Sequence, residues 1–214
     1  MRDHFSKRGG EFMKISEMTV KQFVDEVASK SPTPGGGAVG ATVAALGAAL
    51  IQMVANLTLG KKGYEDYEAE MERVVAEADY RRNKLLESAD DDIKAFDEVM
   101  KALKLPKNTP EEKEERKIKL QESLKKACEV PYELAREISK LCPLAESVAK
   151  FGNKNAHSDA ESAVALLEAA FACALANVEI NLKSIKDEEF VSSMREAVSE
   201  LKGKIDNCIS NCKR

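Results

Sequence analysis

Acidic residues at two places in this 214-residue chain have the chemistry of proton transfer. Asp90-Asp91-Asp92 lies inside an amphipathic helical pattern. Three successive residues spread over about 200° of a helix, so they cannot all face one partner. At least one must point to solvent, whereas Asp92, just before Ile93 and near Phe96, borders the core. Asp159 follows Gly152-Asn153-Lys154-Asn155 and falls in the first turn of the next helical pattern. A helix dipole stabilises negative charge there. That alone accounts for an aspartate, and a catalytic carboxylate would hold the same position with a cleft in front of it. His157 is of the residue type most used as a general base, but its place in a turn reads as surface.

Two further segments suit an anion. Pro34-Gly35-Gly36-Gly37 leads directly into an uncharged helical stretch. Free amides at a helix start attract anions, and glycines let a ligand approach the backbone. Ala38 and Val39 follow in place of the lysine and hydroxyl residue of a nucleotide P-loop, so the segment is not a P-loop. A plain tight connection between helices is the other reading. Lys61-Lys62 stands just past the end of the same stretch, as a favourable C-terminal cap or as a trap for an anionic ligand tail. A metal centre is not indicated. The five cysteines have only His4 and His157 beside them, and no Glu-x-x-His pair exists for a di-metal bundle. Cys208 and Cys212, four apart, would share one helix face. An odd number of cysteines without a secretory signal points to a reducing cytoplasm.

These residues need elements to position them, and helical signals dominate. Thr19 with Gln22 forms a capping-box pattern that opens a short amphipathic helix to Lys30, with Val20, Phe23, Val24 and Val27 on one face. Two prolines and three glycines from Ser31 to Gly37 stop it. Ala38 to Leu59 carries no charge and is long enough to span a bilayer. Its seven alanines, two glycines and polar Thr42, Gln52, Asn56 and Thr58 point instead to a helix buried inside a bundle. A long helix is expected from Asp66 to Lys104. Thr109-Pro110-Glu111-Glu112 starts another. A kink at Pro131 with the helix continuing to Leu141 is expected, and Pro143 should bend or break it. Ser158 with Glu161 reads as a capping box for a helix to Ile185 whose second half carries Asn177, Glu179 and Asn181. A last helix is expected from Asp187 to Cys208. No stretch alternates with period two. The fold class is therefore all-α, an antiparallel bundle of long helices.

Composition narrows the function classes. Lysine plus arginine is 33 against 37 acidic residues, a formal charge of -4, which argues against a nucleic-acid binder. Aromatics are 5% and Trp is absent, so stacking platforms for single strands are excluded. Residues 1–12 are polar, lack the apolar core of a signal peptide and are expected to form a loose tail before a single domain over 13–214. Arg8-Gly9-Gly10 ahead of Met13 raises the expectation that translation starts at Met13, which the intact mass from the native source decides.

The features occur together in one family. Pro34-Gly35-Gly36-Gly37, Met53-Val54-Ala55-Asn56-Leu57-Thr58, Gly60-Lys61-Lys62, Gly152-Asn153 with Ser158-Asp159, and Asn177-Val178 with Ile180-Asn181-Leu182 resemble the formiminotransferase-cyclodeaminase C-terminal family. The resemblance runs from about Met13 to Cys208. It implies a cytoplasmic all-α homodimer that binds a tetrahydrofolate derivative near the subunit interface, with no cofactor beyond that substrate, no metal, no nucleic acid and no membrane. The implied activity is methenyltetrahydrofolate cyclohydrolase or formimidoyltetrahydrofolate cyclodeaminase. The other reading is a helical folate-binding or interaction protein that keeps only the fold. By resemblance Asp159 is the first candidate for proton transfer and Asp92 the second. Pro34, Gly35, Gly36, Gly37, Lys61 and Lys62 would bind the anionic parts of the folate. Asn56 and Asn153 would orient the pterin or a water. His157 lies outside the family pattern.

Overall fold

The structure, a computed structural model, describes residues 7–8 and 11–212. The expectation of a loose tail over residues 1–12 falls largely outside them. Within it, Lys7–Arg8 (β1) pairs antiparallel with Glu11–Phe12 (β2). Six helices follow: α1 (Val20–Val27), α2 (Gly36–Asn56), α3 (Glu68–Leu103), α4 (Pro110–Phe151), α5 (His157–Leu182) and α6 (Glu188–Cys212). They form the antiparallel bundle expected from the periodicity.

The uncharged α2 is the centre of the bundle. Its small residues let two neighbours approach closely on both sides. A Cβ on Gly40 would lie 2.9 Å from the Cys173 Cβ, and one on Gly47 would lie 3.0 Å from a Leu167 methyl, both on α5. Ala38, Ala41, Ala44, Ala48, Ile51 and Val54 of α2 are fully buried. Such close packing at alanine and glycine gains dispersion contacts that a bulkier helix would forfeit. Of the most apolar stretch of α2, 56% is buried within the fold. What remains uncovered is one seam: Val39, Val43, Leu46, Leu50, Met53 and Leu57, at alternating steps of four and three, are partly or fully exposed.

Helix α3 runs antiparallel to α2. Its Arg82 guanidinium donates to Gln52 Oε1 at 2.7 Å, and Asp92 sits beside the start of α2. Helix α5 is also antiparallel to α2, with Asn177 beside Gly36 and Gly152, just before α5, beside Val54. Helix α4 lies against α3 and α5, and α6 covers α4. Between α3 and α4, Glu137 is 1% exposed. It accepts from Arg81 at 2.8 Å and from Lys84 and Lys140 at 2.7 Å each. Burial alone would raise the Glu137 pKa, but the Lys140 and Lys84 contacts together outweigh it and hold the carboxyl below its ordinary value.

Three local expectations need correction. Helix α4 continues through Pro131, as expected, and also through Pro143, where no break occurs. A proline costs one helical hydrogen bond, but α4 packs against α2, α3, α5 and α6, and tertiary contacts override local propensity. At Pro131 the lost bond is replaced. The Ala127 carbonyl, left without its partner four residues on, accepts from Asn181 Nδ2 at 2.8 Å. Ser158 does not cap α5, which begins at His157. A 3-10 turn over Lys154–Ala156 precedes it, and the cap is Asn153, whose side chain accepts from the Asn155 N–H. Finally, the α1 residues Val20, Val24 and Val27 face outward, and Val20 is 82% exposed, while Phe23 packs toward the core. The capping box of Thr19 with Gln22 is formed.

Candidate active site

The glycines before α2 and the second aspartate of the sequence reading meet in one place. The N-cap of α2 is Gly35, which has no side chain to satisfy the first amides of the helix. Asp92 supplies that function from α3: its carboxylate accepts the Ala38 N–H at 3.2 Å. It reaches so close only because position 37 is glycine. A Cβ there would stand 2.0 Å from Asp92 Oδ1 and 2.4 Å from Cγ. The N–H groups of Gly36 and Gly37 find no acceptor among the described residues. Burial pushes the Asp92 pKa up, against the opposing effect of the Ala38 N–H.

A cavity of about 330 Å³ opens in front of this carboxylate. Gly35, Gly36 and Asp92 line one side. Phe96, Val99 and Ile180 give it an apolar wall, and Asn177 and Asn181 bring amides from α5. A flat ring with polar edges fits such a lining. Of the aspartate triplet, Asp91 is exposed and pairs with Lys94, and Asp90 accepts the Ile15 N–H at 2.9 Å. Of the three, it is Asp92 that lines this cavity. Pro34 is buried behind the glycines.

The other candidates gather at the far end of α2. Asn153 is a clamp. Its N–H donates to Thr58 Oγ1 at 2.8 Å and its Nδ2 to the Leu57 carbonyl at 2.9 Å. Its Oδ1 accepts from Lys61 Nζ at 2.8 Å and from the Asn155 N–H at 3.0 Å. Lys61 is thereby held over the end of the helix, and the Tyr64 hydroxyl accepts the Lys154 N–H at 3.0 Å. Gly152 is required here, because a Cβ would lie 2.3 Å from the Val148 carbonyl oxygen. Asn56 and Lys62 are exposed, and Asp159 is partly exposed in the first turn of α5. His157 is on the surface, 3.7 Å from Glu161.

A single chain therefore does not bring all the candidates together. Helix α2 has 21 residues, which separates its ends by about 30 Å. Asp92 with the glycines stands at one end. Lys61, Asn153, Asn56 and Asp159 stand at the other. The sequence reading gave no role to Asn177, Asn181 or Phe96. The available signal was the pair of asparagines four apart on an otherwise apolar, alanine-rich helix, since that spacing puts both amides on one face.

Comparison with known proteins gives one consistent result. The chain is 44% identical over 185 residues to a methenyltetrahydrofolate cyclohydrolase of Methylorubrum extorquens, covering 86% of this chain and 88% of that protein. It is 38% identical over 192 residues to the formimidoyltransferase-cyclodeaminase of Rattus norvegicus, covering 90% of this chain but 36% of that longer protein. A crystal structure of formiminotetrahydrofolate cyclodeaminase from Thermotoga maritima superposes with a TM-score of 0.84 at 43% identity, covering 93% of this chain and 96% of the other. Residues 19–200, which contain both ends of α2 and the whole cavity, match the formiminotransferase-cyclodeaminase family, and the chain belongs to that family.

Proposed function

We propose that this protein is a folate one-carbon enzyme that opens or closes the five-membered ring of 5,10-methenyltetrahydrofolate. The observation that supports this most is Asp92, a carboxylate of raised pKa that faces a ring-sized cavity beside free backbone amides. In the cyclohydrolase direction, water adds to the cationic methenyl carbon. Asp92 accepts the water proton and returns it to N5 as the C–N5 bond breaks, giving 10-formyltetrahydrofolate and one released proton. In the cyclodeaminase direction, N10 attacks the protonated formimidoyl carbon on N5. The carboxylate moves the N10 proton to the leaving nitrogen, and ammonia departs. Both routes pass through a tetrahedral carbon and keep the oxidation state of the one-carbon unit, so no redox cofactor is needed. Proton transfer of this kind contributes about 10²- to 10⁴-fold. We assign it to Asp92 over Asp159, because Asp159 lies beside the basic end of α2 and lines none of the described cavities.

The substrate is also anionic at its glutamate tail, and Lys61 and Lys62 are the cations placed for it. We infer that a homodimer unites the two ends. The uncovered seam of α2 has the four-three spacing of helices that pair along their length, and α5 adds the exposed small residues Ala165, Ala169, Ala172 and Ala176 beside it. A two-fold axis near Leu46 pairs α2 antiparallel with its copy. The Lys61 end of one protomer then lies over the Asp92 cavity of its partner. Five unpaired thiols suit a reducing, cytoplasmic setting.

Absorbance of the methenyl chromophore tests the activity with 5,10-methenyltetrahydrofolate and, separately, 5-formimidoyltetrahydrofolate. Its loss above the spontaneous rate identifies a cyclohydrolase, and its appearance with ammonia identifies a cyclodeaminase. Asp92→Asn should lower kcat by at least about 10² and Asp159→Asn by much less; the reverse order would remove Asp92 from the role. If neither substrate reacts, a folate-binding protein is the better description. Co-expression of Asp92→Asn with Lys61→Ala tests the shared site. Random pairing should restore about a quarter of the parent activity, because half the dimers carry one intact site of two. No recovery above the separate variants would rule out a site built from two protomers.

A further inference from the structure

We propose that Asn181 is a substrate-binding residue that offers a fixed hydrogen-bond acceptor to an N–H of the substrate ring, and that Pro131 is the positioning residue that fixes it. This rests on the folate reading of the cavity. The amide of Asn181 has only one chemically sensible orientation. Its Nδ2 donates to two carbonyl oxygens, Ala127 at 2.8 Å and Asn177 at 2.9 Å. Both N–H bonds are used, and neither neighbour can donate to a reversed amide. Oδ1 therefore points away from them. It accepts from no donor among the described residues and is not sealed in the core without a partner. Asn181 lines the same cavity as Asp92.

Because Pro131 has no N–H, the Ala127 carbonyl gives Asn181 an undivided acceptor. In an uninterrupted helix the residue four positions on would share that oxygen, as the Asn177 carbonyl is shared within α5, and weaken the hold. Proline at 131 removes the competitor while the helix stays continuous. A feature that reads as a helix breaker thus serves to lock an amide on a different helix, 54 residues from the Ala127 acceptor.

Asn177 repeats the arrangement one turn earlier. Its Nδ2 donates to the Cys173 carbonyl at 2.8 Å, and it too lines the cavity. The α5 side of the cavity therefore presents the Asn181 acceptor, and the α2 side presents the Gly36 N–H. The ligand complement is a flat ring whose pyrimidine part carries an amino group and a ring N–H, with apolar faces for Phe96 and Val99. A reduced pterin has these groups.

The test is a double-mutant cycle on folate affinity, with 5-formyltetrahydrofolate as an unreactive probe in equilibrium titration and KM and kcat measured in parallel. Asn181→Ala should weaken binding about tenfold, the value of one hydrogen bond at the upper end of the usual range, with KM rising and kcat nearly unchanged. Pro131→Ala gives Ala127 a new N–H partner and should weaken binding two- to fivefold. The double variant should bind no more weakly than Asn181→Ala alone, because the proline acts only through the asparagine. Additive losses would overturn the positioning role of Pro131, and unchanged affinity in Asn181→Ala would overturn the contact. Should Asn181→Ala fold poorly, Pro131→Ala carries the test alone, since alanine is the better helix former; unchanged affinity there overturns the proposal. A parent protein that turns over folate while Asn181→Ala matches it refutes this inference only. A parent that neither binds nor converts any folate refutes the functional reading and this inference with it.

Discussion

Gly37→Ala separates the site from the fold more sharply than any change to a polar residue. The backbone at position 37 has no positive φ, so alanine is conformationally allowed and gains about 1 kcal/mol of helix propensity. The conflict is with Asp92. The new Cβ would lie 2.0 Å from Oδ1 and 2.7 Å from Oδ2, where a close carbon–oxygen contact needs about 3.3 Å. The carboxylate must move by more than an ångström. It then loses the Ala38 N–H, a charge-assisted bond worth about 1.5–3 kcal/mol, and takes on about 0.5–1.5 kcal/mol of rotamer strain. Against that stand the propensity gain and the release of a carboxylate from burial. Stability should therefore fall by only about 1–2 kcal/mol. Activity should fall by about 10², the usual consequence of a displacement of this size at a reacting group. Gly203→Ala, where nothing lies within 4 Å of the new Cβ, is the control and should leave both unchanged or slightly raise stability. The assay is initial rate on the methenyl substrate beside a urea unfolding curve for each protein. Parent-like kcat in Gly37→Ala would refute the reasoning, because it would mean that Asp92 need not stand where the glycine lets it stand.

Asp92→Asn should raise stability at neutral pH while abolishing turnover. The raised pKa of Asp92 means that its ionised form opposes folding, a cost fully present above the folded-state pKa and absent below the ordinary carboxylate value. The stability difference between variant and parent should therefore shrink as pH falls through the folded-state pKa, and a difference independent of pH would contradict the assignment. Glu137→Gln should lower stability by about 3 kcal/mol, the lower end for breaking a buried pair, because Lys84 and Lys140 are 42% and 38% exposed and can rehydrate. At 214 residues that is roughly 6–12 °C in Tm, with kcat per folded molecule unchanged; calorimetry beside the rate assay checks both.

Much of this was legible in the chain itself, for reasons particular elements make clear. Helix α3 was expected from Asp66 to Lys104 and runs Glu68–Leu103, because an apolar stripe repeated over ten turns leaves little freedom for its ends. The Thr109 capping box is formed as read, because it is a local pattern among neighbours. Other readings turn on contacts that form only on folding. Pro131 was expected to kink α4, and no local rule can see that an asparagine 50 positions later would satisfy the stranded carbonyl. Asp159 drew attention because its helix start was visible in the sequence. Asp92 was ranked lower because its value comes from Gly37, 55 positions earlier, which is adjacent only after folding. Gly36 and Gly37 were read as an anion cradle. For Gly37 the tighter constraint is the approach of a carboxylate from another helix.

Why both candidate ends belong to α2 follows from its composition. A helix of alanine and glycine without charge packs closely on two sides, so α3 and α5 must run beside it and antiparallel to it. At its start it therefore meets the late part of α3, with Asp92, and the late part of α5, with Asn177 and Asn181. At its end it meets the residues that precede those helices, Lys61 before α3 and Asn153 before α5, joined by a 2.8 Å hydrogen bond. The carboxylate at one end and the cation at the other are thus set by the same packing, and the helix between them is too long for a single reacting centre to use both. The apolar seam from Val39 to Leu57 remains uncovered, with Asn56 exposed beside it at one end. In the proposed homodimer, pairing that seam with a copy in the antiparallel sense would bury it and bring opposite ends of two protomers to the same substrate.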